Sequence, residues 1–201
     1  MITSRRVRGV TLVELMVAVG VLAVLLAVAV PSYRGVIKRN QVSAASNALL
    51  ADLSYARSEA VTRGTIVSVC PSTDGIHCDS NTAYKSGWMI YAYKPGKGKA
   101  DTAYDSASTD NSLLRYTTAR AGVSILAADA KAVSLGPQGQ FKSSGSGTAA
   151  RTSTRFAVCS LAKETDSTGQ STAAIPGVLL SLGGSGSVSS TPLGNSASCS
   201  P

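Results

Sequence analysis

The chain turns apolar at Val10 and stays so to Val30, with one ionisable residue, Glu14, inside the run. Twenty-one residues of α-helix match the roughly 20 needed to cross a bilayer core. Beyond Pro31 the pattern changes. Val42, Ala45, Leu49, Leu53, Ala56 and Ala60 recur at three- and four-residue intervals, while Asn40, Gln41, Asn47, Asp52 and Arg57 fall mostly elsewhere. That spacing predicts an amphipathic helix with one face to bury. Arg63 and Gly64 supply a cationic last turn and a C-cap. A membrane helix tolerates proline with a kink, so Pro31 does not have to divide the two parts. The predicted helix runs from Val10 to Arg63.

After Gly64 the period falls to two. Strand-like runs are Thr65–Pro71, Gly87–Tyr93, Leu113–Thr118, Gly122–Leu126, Ala132–Leu135, Arg155–Ser160 and Val178–Leu182. Turn formers fill Ser72–Ser80, Lys94–Thr109, Ser143–Thr154, Thr165–Ala174 and the tail from Gly183. The pattern predicts an α+β chain of three parts: a leader at 1–9, a long helix at 10–63, and a β-rich head at 64–201. Residues 10–30 of that helix would be transmembrane.

With 201 residues the chain has room for one globular domain and an appendage. Its formal charge is +8, from 19 Lys and Arg against 11 Asp and Glu. Three of the cations, Arg5, Arg6 and Arg8, precede the apolar run; without them the charge falls from +8 to +5. The rest are scattered, and ordinary solubility accounts for them. Four cysteines, Cys70, Cys78, Cys159 and Cys199, form an even set behind an export signal, which points to two disulfides in an oxidising compartment. Zinc is the rival reading, but Cys70-x7-Cys78 is too wide for a zinc knuckle and His77 is the lone histidine.

Three readings compete for the apolar run. A buried helix fits poorly, because the run is apolar on all faces and lies at the N-terminus. A cleaved secretory signal would use the basic n-region and Ala27-Val28-Ala29, yet the run exceeds the usual 7–15-residue core and holds an acid. The third reading explains the acid. A carboxylate in hydrocarbon costs roughly 2.5–3.5 kcal/mol on insertion scales, so it is expected to have a partner and a purpose. Cutting the chain after Gly9 would give Val10 a new α-ammonium four residues before Glu14, on the same chain or a neighbour.

Arg8-Gly9-Val10-Thr11-Leu12-Val13-Glu14-Leu15-Met16, followed by apolar residues and Pro31, resembles the class III leader shared by type IV pilins and type II secretion pseudopilins. The family pattern has phenylalanine where this chain has Val10. The resemblance implies that prepilin peptidase cuts after Gly9 and N-methylates Val10. It implies that Glu14 docks against a neighbouring subunit's N-terminus as the pilin leaves the inner membrane. Orientation rests on the resemblance too, since Arg34, Lys38 and Arg39 balance the leader's arginines.

A second resemblance runs from Ala51-Asp52-Leu53-Ser54-Tyr55-Ala56-Arg57-Ser58-Glu59-Ala60 to Gly64, a strand ending in Cys70, then Asp74-Gly75, Cys78, Gly87-Trp88 and Gly136-Pro137-Gln138-Gly139 before Phe141. This stretch is similar to the GspH/FimT family of minor pilins and H-class pseudopilins. It implies a pilin-like fold in which the helix packs on a β-rich periplasmic head. Trp88, in an alternating strand, reads as core. Cys70 and Cys78 lie close enough to close one loop, which would leave Cys159 and Cys199 to pin the tail to a strand.

Catalytic chemistry finds no footing. Gly183-Gly184-Ser185-Gly186-Ser187 lacks the second outer glycine of a nucleophile elbow. Gly96-Lys97-Gly98-Lys99 lacks phosphate-loop spacing. Carboxylates are too dispersed for paired acid–base work. The expectation is a non-enzyme with no cofactor or metal. Its partners would be other pilin subunits, the peptidase, and the inner membrane through Val10–Val30. The leading role is a minor pilin that joins or primes a type IV pilus; an H-class pseudopilin of a type II secretion system is the alternative. DNA capture is a third reading. Some relatives use a Gly-Arg-x-Arg hairpin for it, whereas Gly184-Ser185-Gly186-Ser187-Val188 has no arginine and no cation follows Lys163. Lys94, Lys97, Lys99, Arg151 and Arg155 remain as substitutes.

Overall fold

The computed structural model describes residues 9–129, 132–144, 151–195 and 198–201, without the side chains of 28–32. Arg5, Arg6 and Arg8, and the side chains of Pro31 and of Val28 and Ala29 in the alternative cleavage site, lie outside that description. One helix, α1, runs Leu12–Arg63. Among the described residues nine strands follow: β1 Val67–Pro71, β2 Gly87–Tyr93, β3 Asn111–Thr118, β4 Val123–Ala127, β5 Val133–Leu135, β6 Phe141–Lys142, β7 Thr154–Ser160, β8 Val178–Leu182 and β9 Val188–Pro192. The chain divides into one unit ending at Ile37 and a second running from Lys38 to Pro201.

The second unit holds two antiparallel sheets, ordered β3-β2-β1-β5-β6 and β4-β7-β8-β9. The predicted stripe closes over both. Val42, Ala45, Leu49, Leu53, Ala56 and Ala60 are all buried, in one cluster with Val67, Val69, Trp88, Ile90, Leu135, Ile125, Phe156, Val158, Leu180 and Leu182. A helix presenting one apolar face needs a partner surface, and the inner faces of the two sheets supply it. The Tyr84 and Phe156 rings meet edge to face at 5.2 Å across the seam between the sheets.

Gly64 ends the helix as its sequence position requires. Its φ is +62, its N–H donates to the Val61 carbonyl, and the Thr65 N–H reaches back to Ala60. This is the paired C-terminal motif that a left-handed residue permits, and glycine enters that conformation without a Cβ penalty.

Strand β2 is buried at every position, which simple alternation did not anticipate. Trp88, Ile90 and Ala92 face the main core, while Met89, Tyr91 and Tyr93 form a second cluster with Cys70 and Ala132. The segment Lys94–Thr109, read from sequence as turn-rich, helps to close that outer face. Tyr104 packs into the second cluster, and the Tyr93 hydroxyl donates to the Thr102 carbonyl. A third cluster, Ala157, Cys159 and Cys199 with Leu179 and Leu193, lines the outer face of the other sheet.

Two strands escaped the sequence reading. β6 is two residues long, and β9 (Val-Ser-Ser-Thr-Pro) lies inside the tail from Gly183. β9 pairs with β8 and closes a C-terminal hairpin.

The disulfides join Cys70 to Cys78 and Cys159 to Cys199, across 8 and 40 residues. The second encloses the β8–β9 hairpin. Closing loops of these sizes contributes roughly 2.5 and 4 kcal/mol on the chain-entropy model. Replacing both Cys159 and Cys199 by Ser should lower urea-unfolding stability by roughly 3–4 kcal/mol. Leu53→Ala should cost about 2–5 kcal/mol through the cavity it leaves. A far-UV denaturation series checks both.

Candidate assembly site

The amino-terminal unit is built from a cap and an uncovered apolar surface. Thr11 stands just ahead of the first helical residue, Leu12. Its carbonyl accepts the first helical bond, from the Leu15 N–H, and its Oγ1 accepts the Glu14 N–H at 3.2 Å. Thr11-x-x-Glu14 thus has the spacing of a capping box. The Glu14 carboxylate also sits in the first turn, where the positive end of the helix dipole favours an anion. Sequence reasoning missed this second use of Glu14, although the Thr-x-x-Glu spacing signals it. Among the described residues no cation engages the Glu14 carboxylate.

Gly9 and Val10 precede the helix and are exposed. A Cβ added at Gly9 would meet nothing within 4 Å. From Leu12 to Ala27 every side chain is exposed, including Leu12 at 76% and Met16 at 67%, all around the helix. Apolar surface of that extent calls for lipid or protein to cover it. Among the described residues no helix is long and apolar enough to cross a membrane.

In the head the most elaborate side-chain arrangement centres on Asp52. Sequence periodicity had grouped it with the polar residues, but it is buried. It accepts the Trp88 indole N–H at 2.8 Å, the Thr117 hydroxyl at 2.7 Å and an Arg115 N–H at 2.7 Å. Arg115 also lies 4.0 Å above the Tyr55 ring. One carboxylate on the helix therefore ties together β2 and β3. Charge-assisted bonds of this kind are the stronger class, and leaving their donors buried and unpaired is costly.

A second network surrounds Arg151, which pairs with Asp101 and with Asp129 and lies 5.4 Å from the Phe141 ring. Burial pushes the Asp101 carboxyl up. The Ser144 N–H and hydroxyl, the Arg151 charge and the Ser143 hydroxyl outweigh it, holding the carboxyl below the usual range. Arg151 is thereby committed to an internal role and is removed from the cations that could meet a phosphate backbone. Lys94, Lys97, Lys99 and Arg155 are exposed. His77 lies on an exposed loop, bonded to Asp74 at 2.8 Å. That bond, then the Ile76 and His77 N–H groups, hold Asp74 well below the usual carboxylate range. Among the described residues no three His, Cys, Asp or Glu side chains converge as a metal set.

Gly183–Ser187, the turn of the C-terminal hairpin, packs on the helix and on the Gly136–Gln140 turn. Arg57 donates to the carbonyls of Gly139 and Ser185, each at 3.1 Å, and the Phe141 N–H donates to Gly184. Gly186 has φ +72, and a Cβ there would run into the Gly139 carbonyl.

The model of the family described as "Type II transport protein GspH" matches residues 45–184, and that of the prokaryotic N-terminal methylation motif matches residues 4–30. The chain belongs to the GspH family and carries the N-terminal methylation motif. Among solved structures it is similar to the type IV minor pilin FimU of Pseudomonas aeruginosa. Identity is 22% over 80% of this chain and 96% of that one, with a TM-score of 0.51, a likeness of fold. A second crystal form of FimU gives 19% identity, 78% and 98% coverage and a TM-score of 0.48. The minor pseudopilin EpsH of the Vibrio cholerae type 2 secretion system gives 12%, 76% and 97%, and 0.42. No curated protein sequence matches the chain. The pilin-like α+β fold expected from the GspH/FimT resemblance is the one observed: a helix packed on antiparallel sheets.

Two consequences are measurable. Asp52→Leu, which orphans the Trp88 N–H, should cost about 1–3 kcal/mol, visible as a lower denaturation midpoint. Asp101 has a lower pKa folded than unfolded, so its contribution is present above about pH 4 and is lost as pH falls through the folded value. Melting temperature should therefore drop in acid, and Asp101→Asn should flatten that part of the profile.

Proposed function

We propose that the chain is a minor pilin precursor that prepilin peptidase cuts after Gly9 and N-methylates on Val10. Val10–Val30 then holds it in the inner membrane as a single pass with the head in the periplasm. From there it joins or primes a type IV pilus together with other pilin subunits. The observation that carries this reading is the pairing of an uncovered apolar helix with a Glu14 carboxylate that no described cation engages, five positions beyond Gly9. Cleavage would create an α-ammonium on Val10, and in a low-dielectric surrounding that charge and Glu14 of a neighbouring subunit are each other's natural partners. In this reading the protein is a structural subunit with no catalytic role.

The family description favours a second reading, an H-class minor pseudopilin of a type II secretion system. Deletion separates the two: loss of surface pili supports the first, and loss of exoprotein release with pili intact supports the second. DNA capture gains little from the head, because Arg151 is paired internally and the hairpin turn carries no cation. A salt-titrated gel shift with the mature chain checks it.

Because a side chain at Gly9 meets open space, Gly9→Ala leaves folding undisturbed and isolates processing. The variant should accumulate as an uncut, membrane-retained precursor and be absent from sheared filaments. Normal cleavage and piliation would overturn the reading.

A further inference from the structure

The C-terminal hairpin leaves one sheet edge open beside a groove in the head. The outer strands of the two sheets are β3, β6, β4 and β9. Residues 82–83 close β4: Ala83 bridges Leu126, and the Ala127 N–H donates to the Thr82 carbonyl. β6 is two residues long, and its Phe141 N–H is taken by Gly184. β3 is interrupted by a bulge, since Leu114 has no partner in β2. β9 has none of these, and no charged side chain lies on it or anywhere after Asp166. Pro192, at its far end, is its one guard. Uncharged, uncovered edges are the ones that accept another strand.

The ladder fixes which groups of β9 point outward. At the two ends of the hairpin the Gly183 N–H bonds the Ser187 carbonyl and the Leu193 N–H bonds that of Gly177. Antiparallel pairs alternate between bonded and unbonded, so Ser189 and Thr191 spend their N–H and C=O groups on Ser181 and Leu179. Val188 and Ser190 turn theirs away from β8, with the Pro192 carbonyl in the same row. Val188 also packs against the main core, so the side chains of this row lie on the helix side of the sheet.

There the groove begins. Val188 lines it on the sheet side, and Ser54, Arg57, Ser58 and Val61 line it on the helix side, three and four residues apart on one flank of α1. Val61 is left 52% exposed. The groove also has a charge preference. Arg57 donates to the Gly139 and Ser185 carbonyls, which orient its guanidinium without neutralising it. Among the described residues no carboxylate meets it: Glu59 pairs with Arg63, and Asp52 is taken by Arg115.

We propose that this edge and groove receive an extended, acid-bearing segment of a partner subunit, which adds a fifth strand beside β9 and sets its carboxylate against Arg57. The proposal rests on the assembly reading above for the existence of partner subunits. Main-chain bonds to Val188 and Ser190 supply affinity, the added strand covers Val61, and the charge-assisted bond to Arg57 selects among strands.

Two experiments test it. Ser190→Pro removes the outward donor and no bond of the β8–β9 ladder, and an edge strand accepts proline at such a position. The variant should be cut after Gly9, melt as the wild type does, and fall at least about fivefold in sheared filaments, the effect of one lost backbone hydrogen bond at a docking edge. Incorporation at the wild-type level would overturn the docking and leave the processing reading intact.

The second experiment needs no variant. Amide hydrogen exchange at Val188 and Ser190 is followed in the mature full-length chain in detergent micelles, with the capped peptide Thr-Val-Thr-Glu-Thr-Val-Thr as probe. Both amides should slow, and exchanging the probe's Glu for Lys should raise the peptide concentration needed at least about threefold. No slowing, or equal slowing by the two peptides, would overturn the proposal whether or not Ser190→Pro folds. A wild-type chain absent from filaments yet protected by the Glu peptide would sink the assembly reading and keep the groove as a site for an acidic strand.

Discussion

The head depends on one constraint: a single helix face, six small and aliphatic residues wide, must be covered by both sheets at once. Val42, Ala45, Leu49, Leu53, Ala56 and Ala60 meet that demand because three of the six are alanines. Small side chains let the strands approach closely, and the bulk needed to fill the space comes from Trp88, Phe156 and Leu180 of the sheets and from Tyr84 in the turn before β2. The Asp52 clasp adds direction to what would otherwise be a non-specific apolar contact. Three donors from β2 and β3 converge on it, so the helix can sit against that sheet in one register.

The same helix carries a different logic near its start. There apolar residues surround it completely, and the one acid sits where a cap and a dipole both favour it. Glu14 can therefore stabilise the helix start and still present a charge. The two uses do not compete, because the cap bond engages its backbone N–H and leaves the carboxylate available.

How much of this was legible in the chain varies with the range of the interactions involved. The helix stripe, its Gly64 terminus and seven strands could be read because each is set by local periodicity or by one special backbone angle. β6 is too short to show a period, and β9 is a hydroxyl-rich edge strand whose pairing comes from β8 rather than from its own propensity. Asp52 was misplaced because polarity was taken as exposure. Its spacing from Leu49, Leu53 and Ala56 puts it on the buried stripe, and the lone Trp88, 36 residues on, needed an acceptor. Those two facts together could have located the clasp. The double burial of β2 could not have been foreseen, since it depends on a turn-rich segment folding back over the sheet. The N-terminal motif was the most specific signal, and the family model of the methylation motif matches it over residues 4–30, while the chemistry proposed for it needs partners that one folded chain does not display.

The central claim is that this chain is made into an assembly subunit by a cut after Gly9. Intact-mass and N-terminal fragment analysis of the protein recovered from cells tests it directly. The account predicts a mature chain beginning at N-methylated Val10, retaining both disulfides. A chain beginning at Val30, as cleavage after Ala27-Val28-Ala29 would leave it, or one still beginning at Met1, would contradict it.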